Sequence, residues 1–417
     1  MRGISRDGPG AWHHATFVMP APDLADPSSQ RDPYPAYAWL REHAPVHWSP
    51  RLKMWVVTRY DDVQGILQDS VRWSADRFRR IPAALVSRRP EIEDVARVLR
   101  DWAVYRDPPD HTRLRGLLNK AFTPRRIETM APRIQRIIDE LLDATAARGT
   151  MDVVADLAFP LPATVIAALL GVPGADLPRM KTWSDQIAAY VGGAQSGTTI
   201  DEAGRGLAGI VAYFRDLIAS RGPDGDDLVS LMLAAEDRGD MFTREEVVSN
   251  CVLLLFAGHE TTTNLIGNGV LHLLRNPAQL ALLRAAPARI PAAVEELLRY
   301  DAPVAGKIKI AAEDVELHGT RIASGDLVAI MLAAANRDPR RFPDPDVLDV
   351  TRAGAPHVAF GYGIHFCLGA ALARLEAALA LATVLRRWRE LTLLDEAPRW
   401  KPQIFFRGLT ALNVAFS

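Results

Sequence analysis

Residues 360–369 read Phe360-Gly361-Tyr362-Gly363-Ile364-His365-Phe366-Cys367-Leu368-Gly369 and run directly into an apolar helical pattern at 370–388. The glycines at 361, 363 and 369 let the backbone fold tightly around the sulfur and aim N–H groups at it. A cysteine at a helix N-terminus has its thiolate favoured by the dipole and the free amides of the first turn. A structural or redox-inert buried cysteine would leave those glycines and the flanking phenylalanine unexplained. A nucleophilic cysteine needs a base and an orienting partner, and only the adjacent His365 is at hand. A thiolate metal ligand is the better reading.

Working outward, the chain has 417 residues, 49 Lys+Arg against 50 Asp+Glu, 48% apolar residues and 2 cysteines. So few cysteines exclude a disulfide framework and a four-cysteine zinc module. The second, Cys251, lies in an apolar helical stretch and reads as a small core residue. The near-zero net charge, without blocks of one sign, excludes an electrostatic footprint for nucleic acid. Residues 1–17 lack the apolar stretch of an export signal, and the apolar run 252–257 is far short of the ~20 residues that span a bilayer. A soluble, cytoplasmic protein with no membrane partner is expected.

Helical periodicity dominates, at 34–42, 124–147, 157–170, 204–221, 243–275, 278–285, 291–300 and 369–388. Strand-like runs are short and cluster at 46–57 and at 307–310, 315–317 and 327–331, with late additions at 391–394 and 409–416. No low-complexity linker or internal repeat divides the chain. The expected fold class is mainly α with small peripheral β-sheets. Residues 1–31 are expected to be a poorly ordered extension, and 32–417 one domain.

The longest helical pattern opens on Thr243-Arg244-Glu245-Glu246, a capping box. Its middle is apolar on nearly every face, so it should cross the core. There it carries Ala257-Gly258-His259-Glu260-Thr261-Thr262-Thr263, a poor helix centre of glycine, acid and β-branched hydroxyl residues. One reading is a kinked core helix whose Thr hydroxyls bond to preceding carbonyls. The other is a local opening that admits a ligand, with Glu260 and Thr261 supplying protons.

Together these segments resemble the cytochrome P450 family, the haem-thiolate monooxygenases, in its soluble bacterial form. Residues 257–262 (AGHETT) resemble the oxygen-activating helix, and Glu296-Leu297-Leu298-Arg299 resembles the family's Glu-x-x-Arg. Residues 360–369 resemble the haem-binding loop, and 107–115 (DPPDHTRLR), continuing to Ala121-Phe122-Thr123-Pro124, resemble the haem-contacting helix near the front. The likeness extends from about Asp32 to the end. It implies a fold in which haem b lies between the long central helix and the cysteine-bearing helix.

Carried onto this chain, the resemblance makes Cys367 the axial ligand of the haem iron, whose thiolate favours O–O cleavage. Phe360, Gly361 and Gly369 shape its loop, and Ala257 and Gly258 leave room beside the iron. Thr261 and Glu260 are the catalytic pair that steadies and protonates the oxygen being activated. His111, Arg115, His357 and His365 resemble residues that bind the haem propionates, which suits donors facing two carboxylates; each alone could equally be a surface cation. Lys309 stands where the family usually has arginine, keeping the charge but losing the bidentate fork. Glu296 and Arg299, joined by Arg352, are to form a buried structural ion pair. Ile81, Leu85, Val86, Ile187, Val191, Leu255, Val304, Phe405 and Phe406 are expected substrate-pocket walls, with ordinary core packing as the alternative for each. Lys307 could meet a carboxylate, a solvated surface lysine being the default.

The activity so implied inserts one oxygen atom from O2 into a C–H or C=C bond of an apolar terpenoid, steroid, fatty-acid or polyketide-like molecule. Electrons come from NAD(P)H through separate proteins, a ferredoxin and its reductase, docking near Lys120, Arg125 and Arg126. The chain itself is expected to be a monomer. Two rivals are a haem-thiolate enzyme using peroxide directly and a non-catalytic haem-binding protein. The presence of Glu260 and Thr261 disfavours both.

Overall fold

The structure, a computed structural model, describes residues 21–76, 97–191, 200–221, 224–237, 239–353 and 356–417. Its axis is the central helix Arg244–Arg275, 32 residues long. The capping box forms: Thr243 Oγ1 accepts from the Glu246 amide at 3.2 Å, and Glu246 Oε2 accepts from the Thr243 amide at 2.9 Å. Beyond its first turn most of its residues are buried, as an apolar circumference requires. It packs against the helices Pro160–Leu169, Ile200–Ala219, Ile290–Tyr300 and the cysteine-bearing Ala370–Arg387.

The helix expected over 124–147 is two, Pro124–Glu128 and Ala131–Ala146, each with a proline in its first turn, where a missing N–H costs nothing. The helix expected at 157–170 likewise begins later, at Pro160, after a π-helical turn Val154–Ala158.

The main sheet has five strands in the order Val46–Ser49, Met54–Val57, Leu327–Ile330, Lys307–Ala311, Trp73–Ser74. Its pairs are antiparallel except Met54–Val57 with Leu327–Ile330. Lys309 faces Val328 and Lys307 faces Ile330 in the register, so both lysines project from one face of their strand. A three-stranded sheet joins Leu391–Leu393, Asn413–Phe416 and Thr150–Asp152. The sheets are small and the body is helical, as expected.

Residues 21–31 correct the expected extension. Leu24 and Ala25 are buried beside Tyr37, Leu40 and Phe405, and Pro27–Arg31 is a short helix. Arg407 fixes it, donating to the Gln30 and Arg31 carbonyls at 3.1 and 3.2 Å.

Candidate active site

Cys367 lies just ahead of the helix Ala370–Arg387, its amide donating to the Phe360 carbonyl at 3.0 Å. Gly361 and Gly363 have φ of +75° and +70°, in the left-handed region that disfavours a Cβ. At Gly363 a side-chain carbon would also lie 2.8 Å from the Leu67 carbonyl oxygen, so only glycine lets the loop turn against the helix Tyr60–Gln68. The Cys367 thiol lines a cavity together with Phe360 and Gly369. Burial pushes the thiol pKa up, while Lys307, the Gly369 amide, Arg115 and Arg374 oppose that by favouring the thiolate. Cys251, by contrast, is fully buried in the core and held protonated by its burial.

The central helix supplies Ala257, Gly258, Glu260 and Thr261 to the same cavity. It is unbroken there, so of the two readings the core helix with back-bonded hydroxyls holds and the local opening does not. The Thr261 and Thr262 hydroxyls donate to the Ala257 and Gly258 carbonyls at 3.0 and 3.3 Å, spending their protons inside the helix. A side-chain carbon at Gly258 would lie 3.0 Å from Ile166 Cγ1, so this glycine also permits the close approach of helix Pro160–Leu169. Glu260 is buried, and its Oε1 accepts from Lys401 Nζ at 2.7 Å.

A basic corner completes the cavity. His111, Arg115, Lys307, Lys309 and His365 all line it. The His111 and His365 rings lie 4.1 Å apart between centroids. Burial, aided by Arg115 and Lys309, lowers the His111 pKa to about 4; burial, with Lys309 and His111 next, lowers His365 to about 2. Burial and Lys307 lower Lys309 to about 8. Lys309 is 4% exposed, with the Trp73 carbonyl at 3.4 Å as a weak acceptor. His111 Nδ1 and His365 Nε2 are buried with no hydrogen-bond partner among the described residues. The one acid lining the cavity among the described residues is Glu260. Orphaned donors and cations beside a thiol fit a flat apolar group that carries two carboxylates and a metal, which is the chemistry of haem.

Lys307 therefore is no solvated surface lysine: it lines the cavity, and a side-chain carbon at Gly361 would come 3.3 Å from its amine. His357 departs from expectation too. It is absent from the cavity lining; its Nε2 lies 3.3 Å from Glu295 Oε2, and its Nδ1 accepts from the Ala359 amide at 3.2 Å. Glu295 is in turn gripped by Arg374 at 2.7 and 2.9 Å.

Of the expected pocket walls, Val191, Val304, Phe405 and Phe406 line the cavity. Ile187 and Leu255 are buried in the helical core instead, because they project from the packed faces of their helices. Ile81, Leu85 and Val86 fall outside the described residues. Sequence reasoning missed the walls Leu118, Phe122, Phe366 and Leu372, whose apolar character is indistinguishable from core. It missed Lys401 as well.

Glu296, Arg299 and Arg352 form the expected cluster. Arg299 meets Glu296 at 2.7 and 2.8 Å, and Arg352 Nε reaches it at 3.2 Å. Their remaining N–H groups are spent on the carbonyls of Asn336, Pro343, Asp344, Pro345 and Val347. None of the three touches the cavity.

The chain matches the family model for cytochrome P450 over residues 210–286 and 290–406. Cytochrome P450 107B1 of Saccharopolyspora erythraea is 42% identical over 94% of this chain and 98% of its own. Cytochrome P450 monooxygenase PikC of Streptomyces venezuelae is 42% identical over 92% of this chain and 91% of its own. Among solved structures, P450BioI in complex with an acyl carrier protein bearing hexadec-9Z-enoic acid superposes with a TM-score of 0.87, at 38% identity, covering 94% of this chain and 99% of that one. The chain belongs to the cytochrome P450 family and is an oxidoreductase enzyme of its haem-thiolate, monooxygenase kind. No helix among the described residues is long and apolar enough to cross a membrane.

Proposed function

We propose that this chain is a haem-thiolate monooxygenase that hydroxylates or epoxidises an apolar small molecule. The observation that carries the reading is the meeting of three features in one cavity: the Cys367 thiol, a basic corner that presents no acid to the cavity, and the Glu260–Thr261 pair. Cys367 would hold the iron of haem b, and Arg115, Lys307, Lys309, His111 and His365 would hold its propionates. When bound, the group would supply oxygen activation, so that one atom of O2 goes to substrate and the other, with two protons and two electrons from NAD(P)H, to water.

The protein's own groups do the rest. Val191, Val304, Phe405 and Phe406 bind and orient the substrate by apolar contact and keep bulk water from it. Thr261 offers a hydroxyl at the cavity wall, while Glu260, on the next residue back, holds and passes the proton. Such a lining suits a fatty-acyl, terpenoid, steroid or polyketide-like body; the acyl chain bound to the P450BioI partner protein is of that character. Electrons arrive from a ferredoxin and its reductase, for which Lys120 and Arg125 offer exposed cations beside the helix Asp110–Ala121.

Turnover under isotopically labelled dioxygen, with a heterologous ferredoxin, its reductase and cis-9-hexadecenoic acid as probe, tests this. The product should gain one labelled oxygen atom, and Thr261→Ala should lower product per NADPH about 100-fold or more, from the lower end of usual acid–base contributions upward. Oxygen entering from water instead, or unchanged coupling in Thr261→Ala, would contradict the assignment.

A further inference from the structure

The segment that reaches Glu260 from outside the central helix is a C-terminal hairpin. Its arms are held by the Thr410 amide on the Arg399 carbonyl and the Lys401 amide on the Gly408 carbonyl, both at 2.9 Å, with Trp400 bridged to Leu409. Phe405 and Phe406, on the connecting turn, line the cavity.

The hairpin is clamped to the central helix. Asn268 Nδ2 donates to the Arg407 carbonyl at 3.0 Å, and Arg407 Nε donates to buried Asp301 at 3.2 Å while its guanidinium lies 3.6 Å over the Trp400 ring. Gly408 presses so closely on the helix that a side-chain carbon there would collide with the Asn264 side-chain amide. Asn264 is one turn beyond Glu260. Lys401 is thus delivered on a fixed frame, and its amine meets Glu260 Oε1 at 2.7 Å.

The two partners differ in access. The Glu260 side chain is 2% exposed and the Lys401 side chain 24%. Glu260 lines the cavity, whereas Lys401 does not. The pair therefore spans from the cavity wall to solvent. The contact takes one carboxylate oxygen, Oε1.

We propose that Lys401 is a positioning residue for proton delivery: its ammonium holds the Glu260 carboxylate ionised and turned toward the hairpin, and forms the solvent end of the path to the cavity. This rests on the reading of Glu260 as the proton carrier. Burial alone would keep the carboxyl protonated, and an acid that never empties cannot be refilled from solvent. The groups acting on Glu260 are Lys401, the neighbouring His259 and Asn264; burial raises its pKa, and these three together bring it below the ordinary carboxylate value. Among them only the Lys401 side chain reaches water.

The test uses the haem-loaded protein, a heterologous ferredoxin and reductase, and cis-9-hexadecenoic acid as probe. Lys401→Met and Lys401→Gln should raise peroxide released per NADPH about 10-fold, shift the acid limb of the coupling profile to higher pH and enlarge the solvent isotope effect. Lys401→Arg should restore all three. Independently of turnover, infrared spectra at neutral pH should show a protonated carboxyl band in Lys401→Met that is missing from the wild type and from the Lys401→Met/Glu260→Gln double variant. Wild-type coupling and pH profile in both Lys401 variants, with coupling lost in Glu260→Gln, would overturn the inference and leave the Glu260 reading standing. Normal coupling in Glu260→Gln would overturn both. A pH-independent loss without the infrared band would make Lys401 a structural strut and also overturn the proposal.

Discussion

The cluster around Glu296 and the basic corner of the cavity are both buried and both built from cations, yet their charges are answered differently. At Glu296 one carboxylate meets two guanidiniums, and the spare donors are spent on backbone carbonyls. At the corner, Arg115, Lys307 and Lys309 face a cavity with two histidines, each with one buried ring nitrogen that has no partner among the described residues. A buried polar group left without a partner costs more than most contacts return, and at the corner the unpartnered nitrogens belong to residues lining a cavity that a ligand can fill. The first cluster belongs to the scaffold and the second to the chemistry.

Breaking the scaffold cluster should have the largest effect. Glu296→Ala strands the buried Arg299 guanidinium and should cost about 3–5 kcal/mol of stability, read from urea unfolding. A loss under 1 kcal/mol would remove the contrast. Next, Lys309→Met should leave the fold intact but weaken haem retention about 10-fold, the scale of one hydrogen bond to a charged group. Haem transfer to apomyoglobin measures it, and retention equal to wild type would take Lys309 out of the corner.

A further effect is one of pH. His111 titrates near 4 in the folded chain, because burial, Arg115 and Lys309 all disfavour its charge against Asp107. The unfolded chain binds that proton first, so the stability of haem-free protein should fall as pH drops from 6.5 toward about 4 and be level above 6.5. Haem carboxylates in the corner should flatten that fall. Equal slopes with and without haem would show that nothing anionic reaches His111.

The parts of this architecture legible in the sequence are those whose chemistry is local. The glycines about Cys367, the capping box at Thr243 and the one-turn spacing of Glu296 and Arg299 each announce themselves within ten residues. Lys307 could have been found the same way, since Lys-Ile-Lys-Ile in a strand puts both lysines on one face. Lys401 could not: it meets Glu260 across 141 residues through a hairpin whose placement depends on Gly408. Nor could His357, whose partner Glu295 lies far off in sequence on the helix Ile290–Tyr300, or the sorting of Ile187 and Leu255 into core, because an apolar side chain carries no mark of which surface it faces.

The central claim is that Cys367 is the iron's thiolate ligand. Its most direct test is the absorption spectrum of the purified, haem-loaded protein, reduced and exposed to carbon monoxide. The wild type should show the red-shifted Soret band of thiolate ligation, and Cys367→Ala should lack it while Cys251→Ala keeps it. A haem-loaded wild type without that band, or a Cys367→Ala variant that retains it, would contradict the account.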